Sequence, residues 1–387
     1  DSEGFLPKLL GKMYNDRVYY KKKMLEAKKE YNKTKDPKLT KEISRCHNIQ
    51  WAKKIALNSA YGAIGNQYFR YYDVRQAMAI TLAGQFVIRF IEKNVNEYMN
   101  KILKTHDKID YIVASDTDSI YLTMDKLVEQ VCKDKTKEQT LKFLNKVVES
   151  RIEPFLDKCF KQLADYTNAF ENKMVMKREV IADKGIWTAK KRYMLNVLDE
   201  EGITFDEPKL KIMGIEAVKS STPEYCRGKI KESIKIIMSK QESDLHKFVK
   251  ETKEEFLKLP AEAVSFPRSC NNMKKYYSSS DVFIKGTPIH VKGALIYNHQ
   301  IKQFGLEKKY PLIQEGDKIK FVKLLEANPF KFDVISYVTE LPKEFKLKDY
   351  VDYELQFEKT LLDPIRFILQ PIGWTPEPKA SLEAFFG

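Results

Sequence analysis

A chain of 387 residues with 22 Phe and 21 Tyr has room for two to three domains and a sizeable buried core, which excludes an intrinsically disordered polypeptide. Lys plus Arg outnumber Asp plus Glu by 68 to 54, a formal charge of +14 that favours a polyanionic partner, either nucleic acid or an acidic membrane surface. The five cysteines (Cys46, Cys132, Cys159, Cys226, Cys270) are scattered without a CxxC pair, which argues against a disulfide framework or zinc site and for reduced, buried thiols. No uninterrupted apolar run reaches the roughly 18 residues of a membrane span, so no membrane span is expected, nor is a signal peptide; the expectation is a cytoplasmic protein without a membrane partner.

In chain order, residues 5–31 and 41–65 read as long helices joined by the polar turn "NKTKDPKLT", where Asp36 and Pro37 act as breakers. In the first, "YNDRVYYKKKM" sets Arg17 and Lys21 four residues apart on one face. The second carries "KKIALNSAYGAIGNQYFRYYD", with Lys54, Asn58 and Tyr61 at i, i+4 and i+7 and hence in line. A cation for phosphate, an amide and an aromatic for the base, and Gly62 for close backbone approach make a plausible nucleotide reader. In an antiparallel helical hairpin, Arg17, Lys21 and Lys54 would converge as a triphosphate clamp. A solvated lysine-rich surface and an ordinary amphipathic helix ending in glycine are the plainer alternatives.

Residues 74–104 predict a third helix, with Ile80, Ala83, Val87, Ile88, Ile91 and Val95 at helical spacing and Arg89, Glu92 and Lys93 opposite. The runs "DYIVA" and "SIYLTM" that follow are joined by "SDTD" and predict a β-hairpin. Asp116 and Asp118 at its turn supply hard oxygen ligands that suit magnesium and a phosphate-bearing substrate, although Asp and Ser also favour solvated turns. The apolar flanks single this turn out, because they imply strands buried almost to the charge. A helix over 137–165 and strands in "MVMKREVIA", "KRYMLNVLD" and "PKLKIMG" come next, the last two separated by "DEEG". In "KGIWTAKKRYML", strand alternation would send Lys191 and Tyr193 to one face and Lys190 and Arg192 to the other. Basic and aromatic residues interleaved in this way suit contact with a nucleic-acid backbone and groove. Beyond about 220 the pattern turns to lysine-rich helices and, after about 280, to irregular strands.

Three of these motifs, in this order, carry a resemblance. "KKIALNSAYG" resembles the KxxxNSxYG motif of family B DNA polymerases, "SDTDS" their DTDS motif and "KKRY" their primer-holding lysine–tyrosine motif. The whole run, "KLKIMGIEAVKSSTP" included, is similar to the replicative polymerases of large tailed phages. The resemblance implies an α+β right-hand polymerase architecture: helical-hairpin fingers at 1–65, an incomplete antiparallel-sheet palm at 66–220 and a mixed, mostly helical thumb at 221–387. It implies that Arg17, Lys21 and Lys54 hold a dNTP triphosphate, while Asn58 and Tyr61 line the base-pair pocket. Asp118 would bind both of two Mg2+ ions, with Asp116 beside it and Glu179 as a secondary carboxylate. The "KKRY" segment, Lys190 to Tyr193, would contact primer–template DNA, with Lys191 and Tyr193 on the primer end. The tail "KASLEAFFG", with Leu382, Phe385 and Phe386, would dock on a sliding clamp.

Two departures stand beside this likeness. Ala114-Ser115 occupies the place of a usual Tyr-Gly before the acids, and no "D-x-x-S-L-Y-P" segment with the family's other catalytic carboxylate occurs. The expectation is therefore the C-terminal portion of a DNA-directed DNA polymerase, either one half of a split enzyme or a fragment. It would be inactive alone and would need an N-terminal half carrying that carboxylate and the exonuclease. The rival reading is a non-catalytic DNA-binding or clamp-tethering module derived from a polymerase; a metal-dependent nuclease is a distant third.

Overall fold

The computed structural model describes residues 3–105 and 109–378. The chain divides into two units: residues 1–181 with 198–207, and residues 182–197 with 208–387.

In the first unit, α1 (Phe5–Thr34) and α2 (Lys38–Ile64) form a helical hairpin, turned by Lys35 in the left-handed region and by Asp36-Pro37. An ion pair between Asp16 and Lys53, at 2.7 Å, fixes their register. Helix α3 (Val74–Leu103) starts on Asp73, whose carboxylate accepts the Arg75 amide at 2.9 Å. Its apolar stripe Ile91, Val95, Met99 and Leu103 is buried, as the helical period requires. Strands β1 (Ile112–Asp116) and β2 (Ser119–Leu122) pair antiparallel as the expected hairpin, with an irregularity between Ile112 and Ala114.

Helix α4 (Asp125–Val131) precedes α5 (Lys137–Val147) and α6 (Glu153–Tyr166). The single helix expected over 137–165 is interrupted by a π-turn at Val148–Ile152. Pro154 in the first turn of α6 accounts for it: it has no amide to give, and in a continuous helix its ring would clash with the Ser150 carbonyl four residues earlier. Tyr111, Ile112, the α3 stripe, Ile152, Leu156, Cys159 and Phe160 make the core of this unit, with Tyr98 stacked on Phe155 at 4.0 Å.

Strands β3 (Val180–Ala189), β4 (Arg192–Glu200) and β5 (Ile203–Met213) form a three-stranded sheet in that order. Strand β3 begins later than the expected "MVMKREVIA" run; residues 174–179 are not strand.

In the second unit, α7 (Glu224–Ser239) and α8 (Glu242–Phe256) pack on one another through Ile230, Ile234, Leu245 and Val249. Short α9 (Ala261–Val264) leads to β6 (Phe266–Ser269), followed by α10 (Met273–Tyr276) and the small pair β7 (Tyr277–Ser278) and β8 (Val282–Phe283). Helix α11 (Ile289–Gln303) lies on a sheet of β6, β9 (Lys318–Lys323) and β10 (Val334–Tyr337), ordered β10-β9-β6. Gly293 makes this packing possible: a Cβ there would sit 2.5 Å from Ser336 Oγ and 2.8 Å from its backbone nitrogen. The chain closes with α12 (Tyr353–Phe357) and α13 (Asp363–Leu369), again joined by a π-turn before a proline, Pro364.

The sheets are small beside the helices, an α+β arrangement. All five cysteines are buried and unpaired. No helix among the described residues is long and apolar enough to cross a membrane.

Candidate active site

The acid-bearing turn is built from the core outward. Asn96 and Asn100, one turn apart on α3, grip the chain entering β1. Asn96 accepts the Tyr111 amide at 2.7 Å and donates to Asp110 at 2.8 Å. Asn100 accepts the Ile109 amide at 2.9 Å and donates to its carbonyl at 2.7 Å. Tyr111, fully buried, anchors the strand below. The irregularity beside Val113 leaves that side chain half exposed, consistent with a local re-aiming of the strand before the acids.

Asp116 pairs with Ser119 across the hairpin, so Thr117 and Asp118 form the tip. Thr117 has φ 57°, a left-handed conformation that a β-branched residue adopts only under constraint. The constraints are local: Asp118 N donates to Asp116 O at 2.7 Å, Ser119 Oγ to the same carbonyl at 3.1 Å, and Thr117 Oγ1 to Asp116 Oδ1 at 2.9 Å. Asp116 is half-buried and Asp118 exposed. Two hard carboxylates on a tied turn suit one side of a magnesium site that waters, phosphate oxygens and a further carboxylate would complete. Among the described residues, no three His, Cys, Asp or Glu side chains gather as a full ligand set. Glu179 is exposed just before β3, its carbonyl accepting the Glu201 amide at 2.6 Å.

Lys54, Asn58, Tyr61 and Gly62 all lie exposed on α2. The Lys54 ammonium sits 5.6 Å above the Trp51 ring, and Tyr61 shares a 2.6 Å hydroxyl bond with Thr81 of α3. Because Asp16 pairs with Lys53, their sequence neighbours Arg17 and Lys54 lie within about one helical turn of each other along the hairpin. Arg17 is half-buried, with a buried Nε that has no hydrogen-bond partner. Lys21 is in an ion pair with Glu201, in the β4–β5 turn of the same unit. Nothing in the sequence points to that carboxylate; "DEEG" reads only as a break.

The "KKRY" expectation needs correction in its geometry. Lys190 and Lys191 are not in a strand but form the two-residue β3–β4 turn, Lys191 with φ 62°. Alternation holds only along an unbroken strand, so it cannot assign their faces. Both lysines are exposed; Tyr193 is buried at 7% exposure, its ring stacked on Trp187 with centroids 6.1 Å apart. Arg192 donates to Glu216 at 2.5 Å and lies 4.4 Å over the Phe367 ring. Leu382, Phe385 and Phe386 lie outside the described residues; the segment leading to them is tied at Thr375, whose amide and hydroxyl donate to Glu242 at 2.7 and 3.1 Å.

The model of DNA polymerase family B matches residues 1–372, and the chain belongs to that family. It is 37% identical to the DNA-directed DNA polymerase of Enterobacteria phage T4, over 90% of this chain and 40% of that protein. The DNA-directed DNA polymerase of Escherichia phage RB69 is 36% identical over 96% of this chain and 42% of its own length. DNA polymerase 1 of Pyrococcus abyssi is 25% identical over 97% of this chain and 40% of its own length. The chain thus spans about two-fifths of the length of these curated relatives.

Proposed function

We propose that these residues are the C-terminal portion of a DNA-directed DNA polymerase that adds dNTPs to a primer 3′ end, with fingers at 1–65, palm at 66–220 and thumb at 221–387. The observation that carries this is the tied Asp116–Asp118 turn, raised on an apolar core, in a chain that belongs to DNA polymerase family B.

In this reading Asp118, with Asp116 beside it and Glu179 in a secondary role, would hold two magnesium ions. Bound there, the metal would polarise the α-phosphate and neutralise charge developing on its oxygens. Arg17, Lys21 and Lys54 hold the β- and γ-phosphates and orient the α-phosphate in line with the primer hydroxyl. Asn58 and Tyr61 bound the space for the nascent base pair, and Gly62 leaves backbone accessible there. Lys190 and Lys191 grip the primer from their exposed turn, with Tyr193 as its buried support. One acidic turn is half a two-metal site, so we infer that the second carboxylate comes from polypeptide outside these residues. Mixing the chain with a polymerase N-terminal portion should restore primer extension that neither part has alone. Extension by this chain alone would contradict the reading.

Lys21 must leave Glu201 before it can meet a triphosphate, so the two contacts compete. Both side chains are partly exposed, and pairs of this kind contribute at most about 1 kcal/mol. Glu201→Gln should therefore tighten dNTP binding by about two- to fivefold, measured by equilibrium fluorescence titration, whereas Lys21→Ala should weaken it. An unchanged affinity in Glu201→Gln would mean that Lys21 does not reach the nucleotide.

The tail is proposed as a sliding-clamp peptide, supported by Leu382, Phe385 and Phe386 in sequence beyond the tie at Thr375. Deleting residues 382–387 should abolish clamp-stimulated synthesis while leaving synthesis without the clamp unchanged, as primer-extension length distributions would record.

A further inference from the structure

The β3–β4 turn is held by residues that no motif marks. Lys191 sits in the left-handed region, which a lysine keeps only if its surroundings over-determine it. Its carbonyl is covered by Gly214, also left-handed at φ 67°. A Cβ on Gly214 would lie 2.3 Å from the Lys191 oxygen and 3.1 Å from Arg192 Cγ, so only glycine lets the end of β5 close on the turn. Thr188 Oγ1 donates to the Arg192 carbonyl at 3.2 Å across the neck of the hairpin.

The Arg192 side chain points back into the protein and not outward. Its Nη2 donates to Glu216 Oε2, and the other oxygen of Glu216 takes Lys219 Nζ at 3.1 Å. Its guanidinium lies over the ring of Phe367, from α13. Arg192 and Glu216 side chains are only 25% and 23% exposed. A guanidinium paired with a carboxylate and covered by a ring has little field left for a phosphate outside.

We propose that Arg192 is an anchor and not a DNA contact, and that Gly214, Glu216 and Phe367 are positioning residues that hold the Lys190–Lys191 turn in its primer-gripping conformation. Helix α13 thereby acts on the primer end through Phe367. This rests on the reading of that turn as a primer grip.

The test uses the full chain, a labelled recessed primer–template and a salt series followed by fluorescence anisotropy. Lys191→Gln should weaken binding by about tenfold and reduce the slope of log affinity against log salt by about one, the mark of one lost phosphate contact. Glu216→Gln, although it removes a negative charge, should do the same, and the Glu216→Gln/Lys191→Gln double variant should be no weaker than either single one. Phe367→Leu, which keeps apolar bulk but removes the ring face, should move in the same direction and decides the matter if Glu216→Gln melts early. The salt slope is insensitive to the fraction of folded protein, so a loss of folding alone would not reproduce it. If Glu216→Gln and Phe367→Leu bind as well as the parent or tighter, while Arg192→Gln adds its own unit of slope to that of Lys191→Gln, Arg192 is a DNA contact and the proposal falls alone. If Lys191→Gln binds like the parent, the primer-grip reading falls and the proposal with it.

Discussion

Asp118→Ala is expected to reduce primer extension by about a thousandfold or more in an enzyme reconstituted from this chain and a polymerase N-terminal portion. The carboxylate would hold metal against the transferring phosphate, where its removal costs several kcal/mol of transition-state stabilisation, and each 1.4 kcal/mol is tenfold in rate. DNA affinity should change little, because Asp118 is exposed at the tip of the hairpin and supports no part of the core. The hairpin should also survive the change, since its turn is tied by Asp116, Thr117 and Ser119 and by the Asp118 backbone, not by the Asp118 side chain. Single-turnover extension beside equilibrium DNA binding separates the two effects. A variant that keeps full activity would leave the non-catalytic, DNA-binding reading standing. Asp116→Ala should be less severe at the chemical step but harder on the turn, because its carboxylate accepts the Thr117 hydroxyl.

Asp199→Ala is expected to be the most damaging single change to the fold of the first unit. The Asp199 side chain, 2% exposed, pairs with Arg178, itself 12% exposed. It also accepts the Gly202 amide and the Thr204 hydroxyl, both at 3.0 Å. Removing it strands a nearly buried guanidinium and two donors, at a cost of about 3–5 kcal/mol. The urea midpoint should fall by about 1–2 M in a chain of this size. The double change Arg178→Met/Asp199→Leu leaves no charge unpaired and should recover part of the loss, the Gly202 amide and Thr204 hydroxyl remaining without their acceptor. If Asp199→Ala unfolds at the parental midpoint, the pair is not closed in solution. The consequence also reaches function: Asp199 fixes the turn that carries Glu201, so losing it should release Lys21 as Glu201→Gln does.

The long helices and the acid hairpin were legible because local signals and packing agree there. Ile91, Val95 and their neighbours recur at helical spacing, Asp36-Pro37 breaks the first pair, and β-branched and aromatic runs flank the aspartates. That Lys54, Asn58 and Tyr61 share one face follows from periodicity once α2 is a helix. The departures have physical causes as well. Pro154 lies inside the helical run over 137–165, where a proline removes one helical hydrogen bond and interrupts the helix. The Lys190–Lys191 turn reads as strand in the sequence because β-prone residues flank it and no Gly, Pro, Asn or Asp marks it; in the structure the left-handed Lys191 packs against Gly214. Glu201 beside Lys21, Glu216 beside Arg192 and Phe367 beneath its guanidinium are long-range pairings, and no single-sequence pattern points to them.

The central claim is that Asp116–Asp118 and the cations Arg17, Lys21 and Lys54 serve one nucleotide. The most direct measurement is a crystal structure of the reconstituted enzyme with primer–template, Mn2+ and a non-hydrolysable dNTP, read by the anomalous signal of the metal. The account predicts manganese on the carboxylate of Asp118, a triphosphate between it and Lys54, and Lys21 drawn away from Glu201. A metal-free Asp118 facing solvent, with the nucleotide bound away from α2, would contradict it.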